Sequence, residues 1–223
     1  MDIITDVEKL GYRVDEVDTR KQSKLVQDTV LKLKNTIREK GLNALSAPQI
    51  GENIRVFCVS FDGGKNIKSF INPIMSKCEG FELSRETCSS IPNKTFIRPR
   101  FNKIEVMYQT PLGKVESTRL VGMAARVFQH QIDHLDGLLL SDVGLEVDDD
   151  FFNATNEERA EIIKMYLDSL DIKEKEIKKE IEDDKELKAQ ADAMKFMESV
   201  ASGETKVEEV EEEIEIDECT DTD

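Results

Sequence analysis

Gln129-His130-Gln131-Ile132-Asp133-His134-Leu135-Asp136-Gly137 contains both histidines of this 223-residue chain. The stretch ends a segment, Leu120 to Leu135, whose apolar spacing is helical and places Met123, Val127, His130 and His134 on one side. Asp136-Gly137 closes the helix. Histidines at i and i+4 project their imidazoles from one face about a turn apart, which suits a single metal ion. Such a pair also arises by chance, so a third ligand is required before the spacing means a metal site.

Four cysteines are available, and without a secretory signal they do not form a disulfide framework. Cys58 lies on a β-branched run, Ile54 to Ser60, and reads as a small buried residue; Cys78 takes the same reading. Cys219 is a thiol in an acidic tail. Cys88 is different, because Arg85-Glu86-Thr87-Cys88-Ser89-Ser90-Ile91-Pro92 reads as a polar loop. It is the candidate third ligand.

Outward from these motifs the chain reads as one α+β body. Val26, Val30, Leu33 and Ile37 give an amphipathic helix within Val17 to Lys40, and Gly41 stops it. Strands are predicted at Ile54 to Ser60, Ser69 to Ile74, Cys78 to Leu83, Lys103 to Tyr108 and Lys114 to Arg119, the last two joined by Pro111-Leu112-Gly113. The predicted architecture is α+β: short antiparallel sheets around the central metal-ligand helix, with an N-terminal helix and a C-terminal helical extension. Residues 1–150 form the domain, 151–201 a charged helical extension, and 202–223 a tail expected to be disordered.

Charge narrows the function classes. The net charge is −16, of which the last 22 residues hold −10 through eleven acids against Lys206. The remaining −6 offers no basic patch, which argues against direct nucleic-acid binding and against an anionic membrane partner. No run approaches the roughly 18 apolar residues of a membrane span, and the first residues lack signal or transit character. The expected location is cytoplasmic.

Three segments in this order resemble the peptide deformylase family. Ala44-Leu45-Ser46-Ala47-Pro48-Gln49 resembles its loop ending in Ala-Pro-Gln, Glu86-Thr87-Cys88-Ser89-Ser90 its metal-ligand Cys segment, and Gln129 to Gly137 its two-histidine helix. Ile71-Asn72-Pro73, Arg98-Pro99, and Gly122 with Ala125-Arg126-Val127 look like family positions too. The resemblance covers roughly Gly41 to Val143, and the three-part order is more specific than any one motif.

The resemblance implies one divalent metal, Fe(II) or Zn(II), held by Cys88, His130 and His134 with a fourth position open for chemistry. It implies an N-formyl-methionyl peptide or nascent chain as substrate. Gln49, aided by the Ser89 backbone N–H, would donate to the formyl oxygen as charge develops, with Ala44 lining the cleft. Asp133 would orient a ligand imidazole, and Glu86 would bond backbone near the metal loop. Without the resemblance, Gln49 reads as a loop amide capping a backbone group and Asp133 as a solvated helix residue.

The departure that matters is Gln131, which stands where the family carries the Glu that accepts a proton from water and returns it to the leaving amine. An amide does neither, so turnover should be weak or absent. Leu42 and Ala44 for glycines, Thr87 for the Gly before Cys88 and Ser89 for a Leu are smaller departures. Two functional readings follow: a metallohydrolase with strongly reduced turnover, and a non-catalytic metal protein that binds formylated N-termini. A third gives the C-terminal extension contact with a basic partner such as a ribosomal surface; a general metalloprotease is a distant fourth.

Overall fold

The computed structural model describes residues 2–60, 62 and 64–170. A single turn, α1 (Val7–Leu10), precedes α2 (Ser23–Lys40). The apolar stripe predicted for this helix is its buried face: Val26, Leu33 and Ile37 are fully buried and Val30 nearly so. Gly41 ends it in the left-handed conformation at φ 65°, with its N–H bonded to the Ile37 carbonyl.

The strands are β1 (Ala44–Ser46), β2 (Val56–Ser60), β3 (Ile67–Cys88), β4 (Ile91–Gln109), β5 (Val115–Val121) and β6 (Leu145–Val147). Among the described residues they form one antiparallel sheet in the order β1-β2-β3-β4-β5, with β6 also on β4. The α+β class and the antiparallel pairing are those read from the sequence. The lengths differ, because the two strands predicted at Ser69 to Ile74 and Cys78 to Leu83 are one strand of 22 residues. The apparent gap between them falls on a register shift between Met75 and Lys77, where a bulge interrupts the two-residue alternation without ending the strand. Cys78 on this strand is exposed, contrary to the buried reading. Cys88 is the last residue of β3, paired with Ile91 across the Ser89-Ser90 turn, where the sequence suggests a loop.

The helix read as Leu120 to Leu135 begins later, as α3 (Met123–Leu135), because Leu120 and Val121 close β5. Its buried face includes Phe128, Ile132 and Leu135, packed with Phe57, Phe70, Ile104 and Val106 from the sheet. Phe128 meets the Phe57 and Phe70 rings edge-on, at 5.0 and 5.1 Å between centroids. Gln129 fastens the helix to β4, accepting from the Phe101 N–H at 3.0 Å and donating to the Phe101 carbonyl at 2.8 Å.

Short elements α4 (Leu140–Val143) and α5 (Asp149–Asn153) flank β6. Residues 156–166 are helical and end a compact unit spanning Met1–Tyr166. Of the second unit, Leu167–Asp223, residues 167–170 are described and are helical. The predicted exposed helix at 171–201 and tail at 202–223 lie outside the described residues. No described helix is long and apolar enough to cross a membrane.

The end of α3 is pinned from the N-terminal side. Val14 N–H bonds the Leu135 carbonyl at 2.9 Å, and Arg55 Nη1 reaches Asp136 Oδ1 at 2.7 Å. Gly137, at φ 73°, lets this happen: a Cβ there would lie 2.6 Å from the Tyr12 carbonyl carbon and 2.8 Å from the Arg13 nitrogen. Gly80, at φ 67°, has nothing nearer to a Cβ than Asn102 at 3.8 Å. Gly80→Ala should therefore cost only the left-handed penalty of about 1–2 kcal/mol. Gly137→Ala should cost at least about 1 kcal/mol more, because backbone must move. Urea midpoints of the two variants check this, and equal losses would contradict it.

Candidate metal centre

Side chains of β3 alternate in burial through Ser84, Arg85, Glu86, Thr87 and Cys88, so Ser84, Glu86 and Cys88 share the inner face. The alternation brings Cys88 under α3. Its Sγ lies 3.2 Å from His134 Nε2, and the donor atoms of Cys88, His130 and His134 all lie within 4.8 Å of one another. The imidazoles of His130 and His134 sit 5.0 Å apart between centroids, as i, i+4 spacing requires. Among the described residues this is the one group of three or more His, Cys, Asp or Glu side chains arranged to hold a metal.

The donor set fits a divalent cation. Burial pushes the Cys88 thiol up, but hydrogen bonds with His130 and His134 and their charge outweigh it and bring it down to about 5. Burial pushes His130 down, and contacts with Cys88 and Glu86 more than reverse this, raising it to about 9. At neutral pH a thiolate thus faces the protonated His130, whose proton a bound metal would displace, and one thiolate with two imidazoles is the ligand chemistry that Fe(II) and Zn(II) sites share. His130 Nδ1 is 2.9 Å from Glu86 Oε2, which leaves its Nε2 for a metal. Among the described residues His134 Nδ1 is buried without a hydrogen-bond partner, and His130 is the imidazole oriented from behind by a carboxylate.

Glu86 itself is held by Arg100, which donates Nε to Oε1 at 2.7 Å and Nη2 to Oε2 at 2.8 Å. Arg100 Nη1 also bonds Asp133 Oδ2 at 2.6 Å, and Arg98 Nη1 bonds the same oxygen at 2.8 Å. Burial raises the Glu86 carboxyl, but Arg100 and His130 overcome it and bring it down to about 2. Two sequence expectations are corrected here. The carboxylate on an imidazole is Glu86, which bonds side chains rather than backbone. Asp133 meets Arg98 and Arg100 instead, because it lies about 100° round the helix from His134 and faces β4. Its link to the metal ligands, among the described residues, runs through Arg100 and Glu86 to His130.

A cleft of about 320 Å³ opens over this group and is lined in part by Ala44, Gln49, Thr87, Ser89, Met123 and Gln131. Ala44 begins β1, and Thr87 lies in β3 with no need of a positive φ. Gln49 sits in a 3-10 turn, Pro48–Ile50, and is almost fully buried. Its Oε1 accepts from the Ser46 N–H at 3.0 Å and the Ser46 hydroxyl at 3.1 Å. A backbone N–H can only donate, so the amide polarity is settled: Nε2 points to Ser90 Oγ at 3.1 Å, Ser89 Oγ at 3.3 Å and Cys88 Sγ at 3.8 Å. Gln49 thus caps backbone with one end and faces the ligand turn with the other. Gln131, 4% exposed, lines the same cleft, and its Oε1 has no hydrogen-bond partner.

Sequence reasoning missed Ser46, Ser90 and the role of Arg98 and Arg100. The arginines had a signal: in the run Phe96-Ile97-Arg98-Pro99-Arg100-Phe101 two guanidinium residues at i and i+2 among apolar neighbours share one strand face, and burial there demands carboxylate partners.

Residues 3–147 match the family model for polypeptide deformylase. Peptide deformylase of Dictyoglomus turgidum is 30% identical over 147 residues, 65% of this chain and 95% of that protein. The enzyme of Pelotomaculum thermopropionicum is 36% identical over 135 residues, 59% of this chain and 85% of its own. The crystal structure of peptide deformylase from Thermotoga maritima superposes with a TM-score of 0.57 at 31% identity, covering 64% of this chain and 94% of that one. With the Cys88, His130 and His134 group in place and the family model spanning most of its described residues, the chain belongs to the polypeptide deformylase family.

Proposed function

We propose that this chain is a metal-dependent hydrolase that removes the formyl group from N-formyl-methionyl peptides or nascent chains, and that Gln131 makes it slow. Family membership implies formylated peptide substrates. The methionyl specificity, the cytoplasmic location and a ribosome contact through the C-terminal extension belong to the proposal. The observation that carries it is the cleft lined by Cys88 and His130, two members of the candidate metal group, together with the fixed donor of Gln49.

Cys88, His130 and His134 would hold one Fe(II) or Zn(II), which supplies Lewis acidity for hydrolysis when bound. The chain's own groups do the rest. Gln49 Nε2 and the Ser89 N–H donate to the formyl oxygen, where negative charge grows as water adds; one such donor is typically worth ~10²–10³ in rate. Because Ser46 holds the Gln49 amide in place, little reorganisation is needed. Ala44 lines the same cleft. Glu86 keeps His130 Nε2 facing Cys88, and Asp133 keeps Arg100 on Glu86.

Hydrolysis breaks the formyl C–N bond, gives formate and a free amine, and needs a group that takes a proton from water and returns it to nitrogen. Gln131 is neutral and offers no such exchange. Glu86 is no replacement, since a carboxyl at about 2 that already carries Arg100 and His130 holds no proton to give. Loss of a positioned acid-base costs ~10²–10⁴ in rate. At matched Fe(II) content, Gln131→Glu should therefore deformylate N-formyl-Met-Ala-Ser about 10²–10⁴ times faster than the unsubstituted chain. Equal rates would mean that another group moves the proton.

Metal uptake should show the proton linkage of the ligands. With Cys88 at about 5 and His130 at about 9, the metal-free pair carries one proton between those limits. Metal binding expels it, so Zn(II) affinity should rise about tenfold per pH unit through that window and level off above it. Below about pH 5 the thiol is protonated too, and the slope steepens. Calorimetry at pH 7 in buffers of different ionisation enthalpy should count about one proton released per Zn(II); a count of none would contradict the shifted pair.

A further inference from the structure

We infer that the groove between the helix at 156–166 and the segment of β6 and α5 docks a Lys- or Arg-rich segment of another protein, seating that segment's large apolar side chains on Ile162 and Met165. The groove has a volume of about 760 Å³ and lies wholly within the unit Met1–Tyr166. It shares no lining residue with the metal cleft, so the inference is independent of the proposed hydrolysis.

The helix has two apolar stripes and uses one of them to hold its place. Ile163 packs against the cluster of Ile97, Val147 and Phe151, and the Tyr166 hydroxyl donates to the Val143 carbonyl at 2.7 Å. Glu158, Glu161, Ile162 and Met165, at i, i+3, i+4 and i+7, form a separate stripe that lines the groove. On this stripe Met165 is 69% exposed and Ile162 39%. Apolar surface rimmed by charge marks sites of protein contact, and the flexible thioether of a methionine adapts to the apolar group it meets.

Charge says what fits. Glu146, Asp148 and Asp150 line the groove from the segment of β6 and α5, Glu158 and Glu161 line it from the helix, and no Lys, Arg or His does. Glu146 has Lys94 at 2.8 Å; among the described residues no cation pairs with the other four. The concentration is local, since residues 142–168 hold nine acids against Arg159 and Lys164, net −7, whereas residues 1–141 hold 21 basic residues against 17 acids, net +4. Residues 171–223 hold 21 acids against eight lysines, net −13, so the remainder of this chain is repelled where a basic segment is drawn in. The carboxylates are also spread out: among the described residues the one group of three or more side chains arranged to hold a metal ion is Cys88, His130 and His134. Several spaced cations around an apolar anchor match this groove, and a single ion does not.

The test is fluorescence anisotropy of the full chain with a labelled probe peptide, Lys-Leu-Leu-Lys-Lys-Leu-Leu-Lys, beside versions with Glu for Lys and with Ser for Leu. The first should bind, the Glu version should not, and the Ser version should bind at least about tenfold more weakly, because cations and apolar anchors are both needed. Glu161→Lys and Met165→Ser, at exposed positions of the helix, and Asp150→Asn on α5 should each weaken binding about threefold or more. Glu79→Lys, the same charge reversal on β3 outside the groove, should change it by less than about twofold. A probe that does not bind, or that keeps its affinity in Met165→Ser, would overturn the inference. Equal weakening by Glu79→Lys and Glu161→Lys would overturn it as well, by assigning the binding to overall charge. A chain that self-associates until Met165→Ser disperses it would make the occupant a second copy and contradict the inferred partner.

Discussion

Arg100 is 3% exposed and carries a full charge, so the fold around it must supply counter-charge from more than one element. It does so with Glu86 from β3 and Asp133 from α3, through three hydrogen bonds of 2.6 to 2.8 Å. Removing one partner of a buried ion group typically costs about 3–5 kcal/mol, because the charges left behind stay buried. The network therefore fixes the height of α3 over the β3 and β4 hairpin. That height decides whether Cys88 at the end of β3 meets His134, and whether Glu86 meets His130.

The same constraint sorts the polar groups of the cleft. Glu86 is consumed in orienting His130 and balancing Arg100, which removes the nearest carboxylate from proton transfer. Gln49 is held at its oxygen by Ser46 and turns its Nε2 donor to the Cys88, Ser89 and Ser90 turn. Gln131 is left with an unmatched oxygen. Under the proposed function a thiolate, two imidazoles and a fixed donor would polarise and hold a formyl group, while Gln131 would leave proton transfer without its carrier. In this account Gln131 changes the balance between binding and turnover without disturbing the scaffold around it.

Much of this was legible in the sequence where periodicity survives. The stripe Val26, Val30, Leu33 and Ile37 maps directly onto the buried face of α2, and the two histidines needed only helix geometry. The length of β3 was illegible because Pro73 and the register shifts after Ile71 and Met75 break its alternation, and because the run from Ser76 to Glu82 is exposed on both faces. Leu120 and Val121 look helical by hydrophobicity alone and are strand. β1, at three residues, is too short to carry a pattern. The pairing of Glu86 with His130, 44 residues apart, has no local signature at all. Asp133 was misassigned for a related reason: its partners come from β4, and the sequence does not say which strand faces the helix.

The claim on which all else rests is that Cys88, His130 and His134 form one metal site. The most direct measurement is the absorption spectrum of the Co(II)-substituted chain, read against bound metal per chain. The account requires one Co(II), a sulfur-to-metal charge-transfer band in the near ultraviolet, and d–d bands of tetrahedral strength. In Cys88→Ala the charge-transfer band should vanish. An unsubstituted chain that binds Co(II) without that band, or a Cys88→Ala variant that keeps it, would contradict the account.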